Sequence, residues 1–338
     1  MNIQQAIVQL LERQDLSQDD AQAVMAQIMS GAATDAQIAG YLIALRMKGE
    51  TVAEITGSAL TMRSKALAVS IPGRVVDTCG TGGDGAGTFN ISTTAAFVVA
   101  SQGVIVAKHG NRALSSKSGS ADLLAALGVN IDATPEVVQN CLREVGIGFL
   151  FAPKHHAAMR HVAAARRELG VRTLFNLLGP LTNPAAAPFQ LVGLFARQWL
   201  EPVAQVLGRL GVQHALVVHG ADGLDEISTT TSTLVAELCE DGSVSSYELM
   251  PEQFGLPRVH PEQLRGGDAA FNANVTRRIL QGERGAARDI VLLNAGAALY
   301  AARRTASIAE GLQLAAEAVD SGQAAAVLQR LIDCSNAT

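Results

Sequence analysis

Between Asp77 and Asp122 the chain carries two loops whose residue types suit the binding of phosphate. The first runs from Gly80 to Thr94. Five of its first eight residues, Gly80 to Gly87, are glycine, so backbone N–H groups can close around an anion with no side chains in the way. Asn90, Ser92, Thr93 and Thr94 add side-chain donors where a helix should start, and a helix N-terminus favours negative charge. The plain alternative is a mobile glycine turn; glycines this dense, followed by Asn-Ile-Ser-Thr-Thr, speak against it. No Gly-Lys-Ser/Thr follows, so this is not a Walker loop, and Asp84 stands where a Rossmann fingerprint has no acid. The second loop, Lys108 to Ser120, supplies charge. Lys108, His109, Asn111 and Arg112 come directly after an apolar run, then Ser115, Ser116, Lys117, Ser118 and Ser120. Such a basic, hydroxyl-rich stretch suits a diphosphate or a ribose phosphate.

Two further constellations could do chemistry. Asp225-Glu226 follow a strand-like run through the turn Gly220-Ala221-Asp222-Gly223. Adjacent hard carboxylates suit Mg²⁺, which prefers oxygen ligands and keeps some of its water. An isolated Asp-Glu pair is more often an exposed turn; its place after a strand, beside a phosphate site needing neutralisation, favours the metal. Arg166 and Arg172 lie in a predicted helix and at its exit, and an arginine fork binds both oxygens of a carboxylate. Composition alone does not select Arg166 over Arg167.

The elements that must position these residues alternate. Val75-Val76 precedes the glycine loop, and Val104-Ile105-Val106 precedes the basic one, with a helical pattern from Thr93 to Ser101 between. Strand, loop, helix, strand, loop places both loops at the carboxyl edge of a parallel sheet, where ligands of open α/β sheets bind. Further strands read at Gly148 to Ala152, Gln190 to Phe195 and Ala215 to His219. Leu234 to Cys239 and Val244 to Leu249 flank Asp241-Gly242 as an antiparallel hairpin. Thr134 caps a helix with Pro135 at its first position and Gly146 past its end, and from Asn272 onward the chain is Ala-rich and helical. Gly179-Pro180 and Asn183-Pro184 read as rigid turns.

The first seventy or so residues show no strand pattern. Ile3, Ile7, Leu10 and Leu11 mark one amphipathic helix. Ser17 to Asp20, Thr34 to Gln37 and Thr51 to Glu54 resemble capping boxes that open three more. The expected fold is α/β. A small N-terminal all-helical domain, 1–72, is joined by helices near 155–180. The larger α/β domain, 73–338, has a mostly parallel central sheet and surrounding helices.

Composition narrows the function classes. The chain has 338 residues, 48% hydrophobic and 17% charged, with net charge −5, which argues against a broad nucleic-acid-binding face. Cys79, Cys141, Cys239 and Cys334 lie far apart without metal spacing and read as reduced thiols. Cys79 has no sequence neighbour that would activate it as a nucleophile. Neither a signal peptide nor an apolar span of membrane length is present, so a cytoplasmic protein with no membrane partner is expected.

These residues also carry a resemblance. Gly80-Thr81-Gly82-Gly83-Asp84-Gly85, Asn90-Ile91-Ser92-Thr93, Lys108-His109-Gly110-Asn111-Arg112 and Ser115 to Asp122 are similar to motifs of the anthranilate phosphoribosyltransferase family. The match continues in Arg166 to Thr173, Phe175 to Pro184, and His219-Gly220 to Asp225-Glu226, in family order over nearly the whole chain. The resemblance implies transfer of the phosphoribosyl group of 5-phosphoribosyl 1-diphosphate to the amine of anthranilate, the second step of tryptophan biosynthesis. It implies a donor site of Gly80, Gly83, Asp84, Thr88, Asn90, Ile91, Ser92, Thr93, Lys108, His109, Gly110, Asn111, Arg112, Ala113, Leu114, Ser115, Ser116 and Ser120. Anthranilate would meet Gly80, Asn111 and Arg166. Two Mg²⁺ ions per monomer would be held by Ser92, Asp225 and Glu226. No residue serves as acid, base or nucleophile; Lys108, Asn111 and Arg166 position the reactants. The resemblance further implies a homodimer, and leaves open an association with anthranilate synthase components.

Two departures touch the acceptor channel. The family commonly has His-His-His-Pro where this chain has Lys154-His155-His156-Ala157, and Pro where Ala165 stands. The roles of His155 and His156 therefore stay open. Two other readings remain: a pyrimidine nucleoside phosphorylase, whose usual Lys-His-Ser-Thr-Gly-Gly loop is absent, and a non-enzymatic nucleic-acid-binding paralogue, which the charge opposes.

Overall fold

The structure is a computed structural model that describes residues 1–113 and 117–337. Its first four helices are α1 (Ile3–Leu11), α2 (Gln18–Met29), α3 (Asp35–Lys48) and α4 (Val52–Lys65). Asn2, Ser17, Thr34 and Thr51 cap them, each side chain accepting from a backbone N–H of the first turn. Glu54, fully buried, completes the last capping box through the Thr51 N–H at 2.7 Å. It also accepts from Leu16 N at 2.9 Å and from Lys48 Nζ at 3.1 Å, so a local cap doubles as a tertiary anchor. At Ser17 the box is only half formed, because Asp20 accepts from the Ser17 hydroxyl instead of reaching the backbone. Leu11 does not join the buried face: it is 69% exposed, near Val8 at 58% and Met47 at 66%.

The remaining elements follow in order: β1 (Val75–Gly80), α5 (Ile91–Ala100), β2 (Ile105–Gly110), α6 (Ser120–Leu127), α7 (Pro135–Glu144), β3 (Ile147–Phe151), α8 (Ala152–His155), α9 (Ala163–Leu169), α10 (Phe175–Leu181), β4 (Phe189–Gly193), α11 (Leu200–Arg209), β5 (His214–Gly220), β6 (Thr233–Leu238), β7 (Val244–Leu249), α12 (Ala269–Leu280), α13 (Ala286–Ala301), α14 (Ile308–Asp320) and α15 (Gln323–Ser335). One seven-stranded sheet has the order β3-β2-β1-β4-β5-β6-β7. Its first five strands are parallel, and the β6–β7 hairpin adds an antiparallel end. Strand order reverses between β1 and β4, and the crevice beyond the carboxyl ends at such a point is where this architecture binds ligands.

Both faces of the sheet are covered. Val76, Leu191, Leu216 and Val218 pack with α5 and α12–α15, while Val192, Ala215 and Val217 pack with α1–α4 and α9–α11. Arg63 on α4 crosses to the second group of helices, Nε donating to Leu181 O at 2.7 Å and Nη1 to Leu210 O at 3.0 Å.

Two expectations need correction. Gly179-Pro180 lies inside α10 instead of forming a turn. The strands also run further than their apolar cores, so β1 takes in Cys79 and Gly80, and β2 takes in Lys108 and His109. The cause is ladder pairing, Gly80 with Gly193 and Lys108 with Phe149, which overrides polar residue type. Among the described residues no helix is long and apolar enough to cross a membrane.

Candidate active site

The glycine loop leaves β1 at Gly80 and is tied down at once. Thr81 N donates to Gly193 O at 2.9 Å, and Phe195 N donates to Thr81 Oγ1 at 3.1 Å. Gly82 N donates to Asp225 Oδ2 at 2.7 Å. Arg172 stacks over Phe195, 4.3 Å from the ring centroid, and its Nη2 donates to Gly83 O. Gly83 itself has φ +71°, a conformation that resists any side chain. Asp84 accepts from Ala86 N at 3.1 Å within the loop, and Thr88 forms an isolated bridge with Arg265.

The first turn of α5 is already partnered. Ser92 N donates to Glu226 Oε1 at 3.0 Å, and Thr93 Oγ1 donates to Ser120 Oγ at 3.1 Å. Asn90 does not cap the helix; its Nδ2 donates to Ser118 O at 3.0 Å. Thr94 points inward to Asn90 O and Thr276. Ile91 is buried at the helix start.

Asp225 and Glu226 reach this place through close backbone approach. A Cβ on Gly80 would stand 2.3 Å from Asp225 Oδ2. The turn before the pair is stiffened by Asp222, which accepts from Leu224 N, Ser228 Oγ and Thr230 Oγ1. Burial first, then the Asp84 charge, pushes the Asp225 carboxyl above its ordinary range. Burial and then Asp225 do the same to Glu226, with Lys108 opposing. Among the described residues no group of three or more His, Cys, Asp or Glu side chains is arranged to hold a metal. A divalent cation nevertheless fits the chemistry of this pair, since the two desolvated neighbouring carboxylates have no ion-pair partner in bonding distance among the described residues.

Lys108 is buried, its Nζ donating to Thr78 O, and lies close to Asp77 and Glu226. Asp77 is fully buried; it accepts from His109 N at 3.2 Å and from Asn183 Nδ2 at 2.7 Å. Asn183 also bonds Ala107 O at 2.8 Å, so the Asn183-Pro184 segment anchors the end of β2. His109 places Nδ1 3.2 Å from Gly179 O and meets His156 edge to face at 5.1 Å. Burial pulls His109 down to about 3 and His156 down to about 4, so both rings are neutral. Both Nε2 atoms are buried, with no hydrogen-bond partner among the described residues.

The second loop bends back on Asp122. Its carboxylate accepts from Arg112 Nη1, Ala113 N and Gly119 N, each at 2.9 Å, while Ala121 N donates to Asn111 O at 3.2 Å. Asn111 is exposed, its Oδ1 accepting from Arg112 N at 2.7 Å, and Gly110 closes against Ser120. Leu114, Ser115 and Ser116 lie outside the described residues.

Arg166 lies on α9, which packs on α3. It is half-buried, 5.3 Å from the Phe175 ring centroid, and burial lowers its pKa; Arg167 is exposed. No described hydrogen bond joins Arg166 to Gly80 or Asn111. Sequence reasoning assigns no role to Asp77, Phe195 or Asn272, whose partners are mostly remote in the chain, and reads Asn183 and Asp222 only as turn residues before Pro184 and Gly223. A cavity of about 870 Å³ lined by Arg209, Gln213, Glu240 and Arg303 lies at the amino edge of β5, the side of the sheet away from all of these residues.

The helical bundle domain of the glycosyl transferase family matches residues 4–66 and its a/b domain matches residues 72–325. Anthranilate phosphoribosyltransferase of Thioalkalivibrio sulfidiphilus is 57% identical over 98% of this chain and 98% of its own. That of Symbiobacterium thermophilum is 58% identical over 96% and 95%. Among solved structures, the Thermus thermophilus enzyme superposes with TM-score 0.94 at 46% identity, covering 98% of this chain and 99% of that one. The Saccharomyces cerevisiae enzyme in complex with PRPP and Mg gives 0.89 at 28%, covering 98% and 97%. The chain belongs to the anthranilate phosphoribosyltransferase family.

Proposed function

We propose that this protein transfers the phosphoribosyl group of 5-phosphoribosyl 1-diphosphate to the anthranilate amine, yielding N-(5-phosphoribosyl)anthranilate and diphosphate. The observation that carries the proposal is the meeting of two remote segments at one point, where Asp225 and Glu226 take N–H bonds from Gly82 and from Ser92 of the first loop. The solved relative in complex with PRPP and Mg, and another in complex with 4-fluoroanthranilate at TM-score 0.88, support the same substrates.

The amine nitrogen attacks ribose C1 while the C1–oxygen bond to diphosphate breaks, and the amine proton is lost to solvent. The nitrogen is neutral near pH 7, so the residues need only hold the reactants and stabilise the departing charge. The glycine loop and the second loop would line the diphosphate and ribose phosphate, with Lys108 beneath as a fixed cation. Arg166 would hold the anthranilate carboxylate, with Asn111 and Gly80 near the amine. The neutral His109–His156 pair, each with an unused Nε2, suits an N–H donor from the acceptor. Mg²⁺, two ions per monomer at Ser92, Asp225 and Glu226, would neutralise the diphosphate when bound.

Residues 1–72 with the helices near 155–180 would form one domain and 73–338 the other, with the cleft between them. Exposed Val8, Leu11 and Met47 on α1 and α3 support a homodimer through the helical end, in a cytoplasmic enzyme. Mass analysis of the products formed from both substrates with Mg²⁺ tests the activity; absence of the phosphoribosyl adduct with folded protein overturns it.

A further inference from the structure

Asn90 sits where the two substrate loops meet, and its amide is fixed by a residue far away in the chain. Its Nδ2 holds Ser118 O at 3.0 Å, joining the end of the glycine loop to the second loop. Its Oδ1 accepts from Asn272 Nδ2 at 2.9 Å. Asn272 is 1% exposed, and its own Oδ1 accepts from Gly267 N at 2.8 Å. Both ends of the Asn272 amide are therefore used. Turning it over would set its N–H₂ against the Gly267 N–H and its oxygen against Asn90 Oδ1, leaving buried groups unpaired.

The rest of this segment lies on the same loop. Gly266 N donates to Gly87 O at 2.9 Å and Phe89 N to Leu264 O at 3.2 Å. A Cβ on Gly266 would fall 2.5 Å from Thr88 O. One turn along α12, Thr276 Oγ1 lies 2.9 Å from Thr94 Oγ1. Residues 264–276 thus form a clamp behind the donor loop, and within it Asn272 grips a side chain that also bridges to the second loop.

We propose that Asn272 is a positioning residue for the phosphoribosyl donor. It holds the Asn90 amide with Nδ2 toward Ser118, and so sets the spacing between the two loops that enclose the diphosphate and ribose phosphate. It acts through Asn90, and the proposal rests on the transferase function above.

Asn272→Asp tests it, because it keeps the shape and the acceptor for Gly267 N–H and replaces the donor to Asn90 with a carboxylate oxygen; the charge this adds is controlled by the uncharged Asn272→Ser, which must show the same effect. The full chain is assayed with 5-phosphoribosyl 1-diphosphate, Mg²⁺ and anthranilate, and donor binding is measured by calorimetry. The expected result is a rise of about tenfold in donor KM and donor Kd, the scale of one lost buried hydrogen bond, at unchanged anthranilate KM. Among the described residues, Asn90 Oδ1 would keep only its long bond from Ser118 Oγ at 3.4 Å. In a cycle with Asn90→Ala, adding Asn272→Asp should cost nothing more, since the partner is gone. Asn272→Ser is the second variant; its hydroxyl is too short to reach Asn90, and the same donor-specific rise is expected. Unchanged donor constants, additive losses in the cycle, equal losses for both substrates, or failure of both variants to fold overturns the assignment. Where the wild type converts anthranilate and Asn272→Asp matches it, this inference alone fails. A folded wild type that converts none defeats the transferase function and the inference with it.

Discussion

A Cβ atom placed on Gly193 would lie 1.5 Å from the carbonyl oxygen of Asp225. The last residue of β4 is therefore the bed on which the acidic pair rests, at the carboxyl end where Gly193 also pairs with Gly80 of β1. Both glycines are needed for close approach, and together they aim Asp225 and Glu226 at the loop and the start of α5. Gly193→Ala should displace the pair. The forced overpacking costs about 1–3 kcal/mol, and Mg²⁺-dependent turnover should fall far more than the thermal midpoint suggests. Calorimetric melting beside activity would check it; full activity in a folded Gly193→Ala protein would refute the packing argument.

Asp225→Asn with Glu226→Gln removes both charges and keeps the shape. The N–H bonds from Gly82 and Ser92 can still be accepted by amide oxygens, so the fold should survive. Turnover should drop and its dependence on Mg²⁺ concentration should shift upward or vanish. Titrating Mg²⁺ against rate in the double variant decides this, and an unchanged Mg²⁺ profile would remove the pair from the metal site.

The two adjacent arginines of α9 are separated by about 100° around the helix, and the structure shows the consequence: Arg166 is half-buried over Phe175 while Arg167 is exposed. Losing a charge-assisted contact to the anthranilate carboxylate costs roughly 1.5–3 kcal/mol, about ten- to a hundredfold. Arg166→Ala should raise the anthranilate KM by that factor and leave the donor KM nearly unchanged. Arg167→Ala should be close to wild type. Steady-state kinetics varying each substrate distinguishes them, and equal effects would sink the assignment.

Glu237 in β6 bears on stability at low pH. Its carboxylate accepts from His214 Nε2 at 2.7 Å, Tyr247 OH at 2.7 Å and Tyr300 OH at 2.8 Å. Burial alone would raise its pKa, but these bonds outweigh it and hold the carboxyl below its ordinary value. A depressed carboxylate contributes stability that is present above the unfolded value of about 4.3 and is lost as pH falls through the folded one. Glu237→Gln should therefore cost about 1–3 kcal/mol near neutral pH, and the gap from wild type should narrow below about pH 4. Melting curves from pH 7 to pH 3 test this, and a gap that stays constant across the range would contradict it.

Much of the site was legible because its signals are local. The glycine run, the Lys108 to Arg112 stretch and the Asp225-Glu226 pair are each contiguous in sequence, and each lies at or beyond the carboxyl end of a strand. The mostly parallel sheet needed only the alternation of apolar runs with helical patterns; the strand order came from the structure. What stayed hidden depends on the third dimension. Asn272 and Asn90 are 182 residues apart, and Asp77 meets Asn183 across 106, so no periodicity or spacing joins them. Arg166 and Arg167 are chemically identical, and only burial against Phe175 tells them apart. Leu11 has the helical spacing of a core residue, yet at the end of α1 it is exposed. Gly179-Pro180 has turn chemistry, yet the proline fits within the short α10.

The most direct test of the central claim is the fluorescence of anthranilate during incubation with the protein. With 5-phosphoribosyl 1-diphosphate and Mg²⁺ present, the signal should fall with time at a rate proportional to enzyme, and it should hold steady when either is omitted. A steady signal with folded protein and all components present, or phosphorolysis of a pyrimidine nucleoside in its place, would contradict the account.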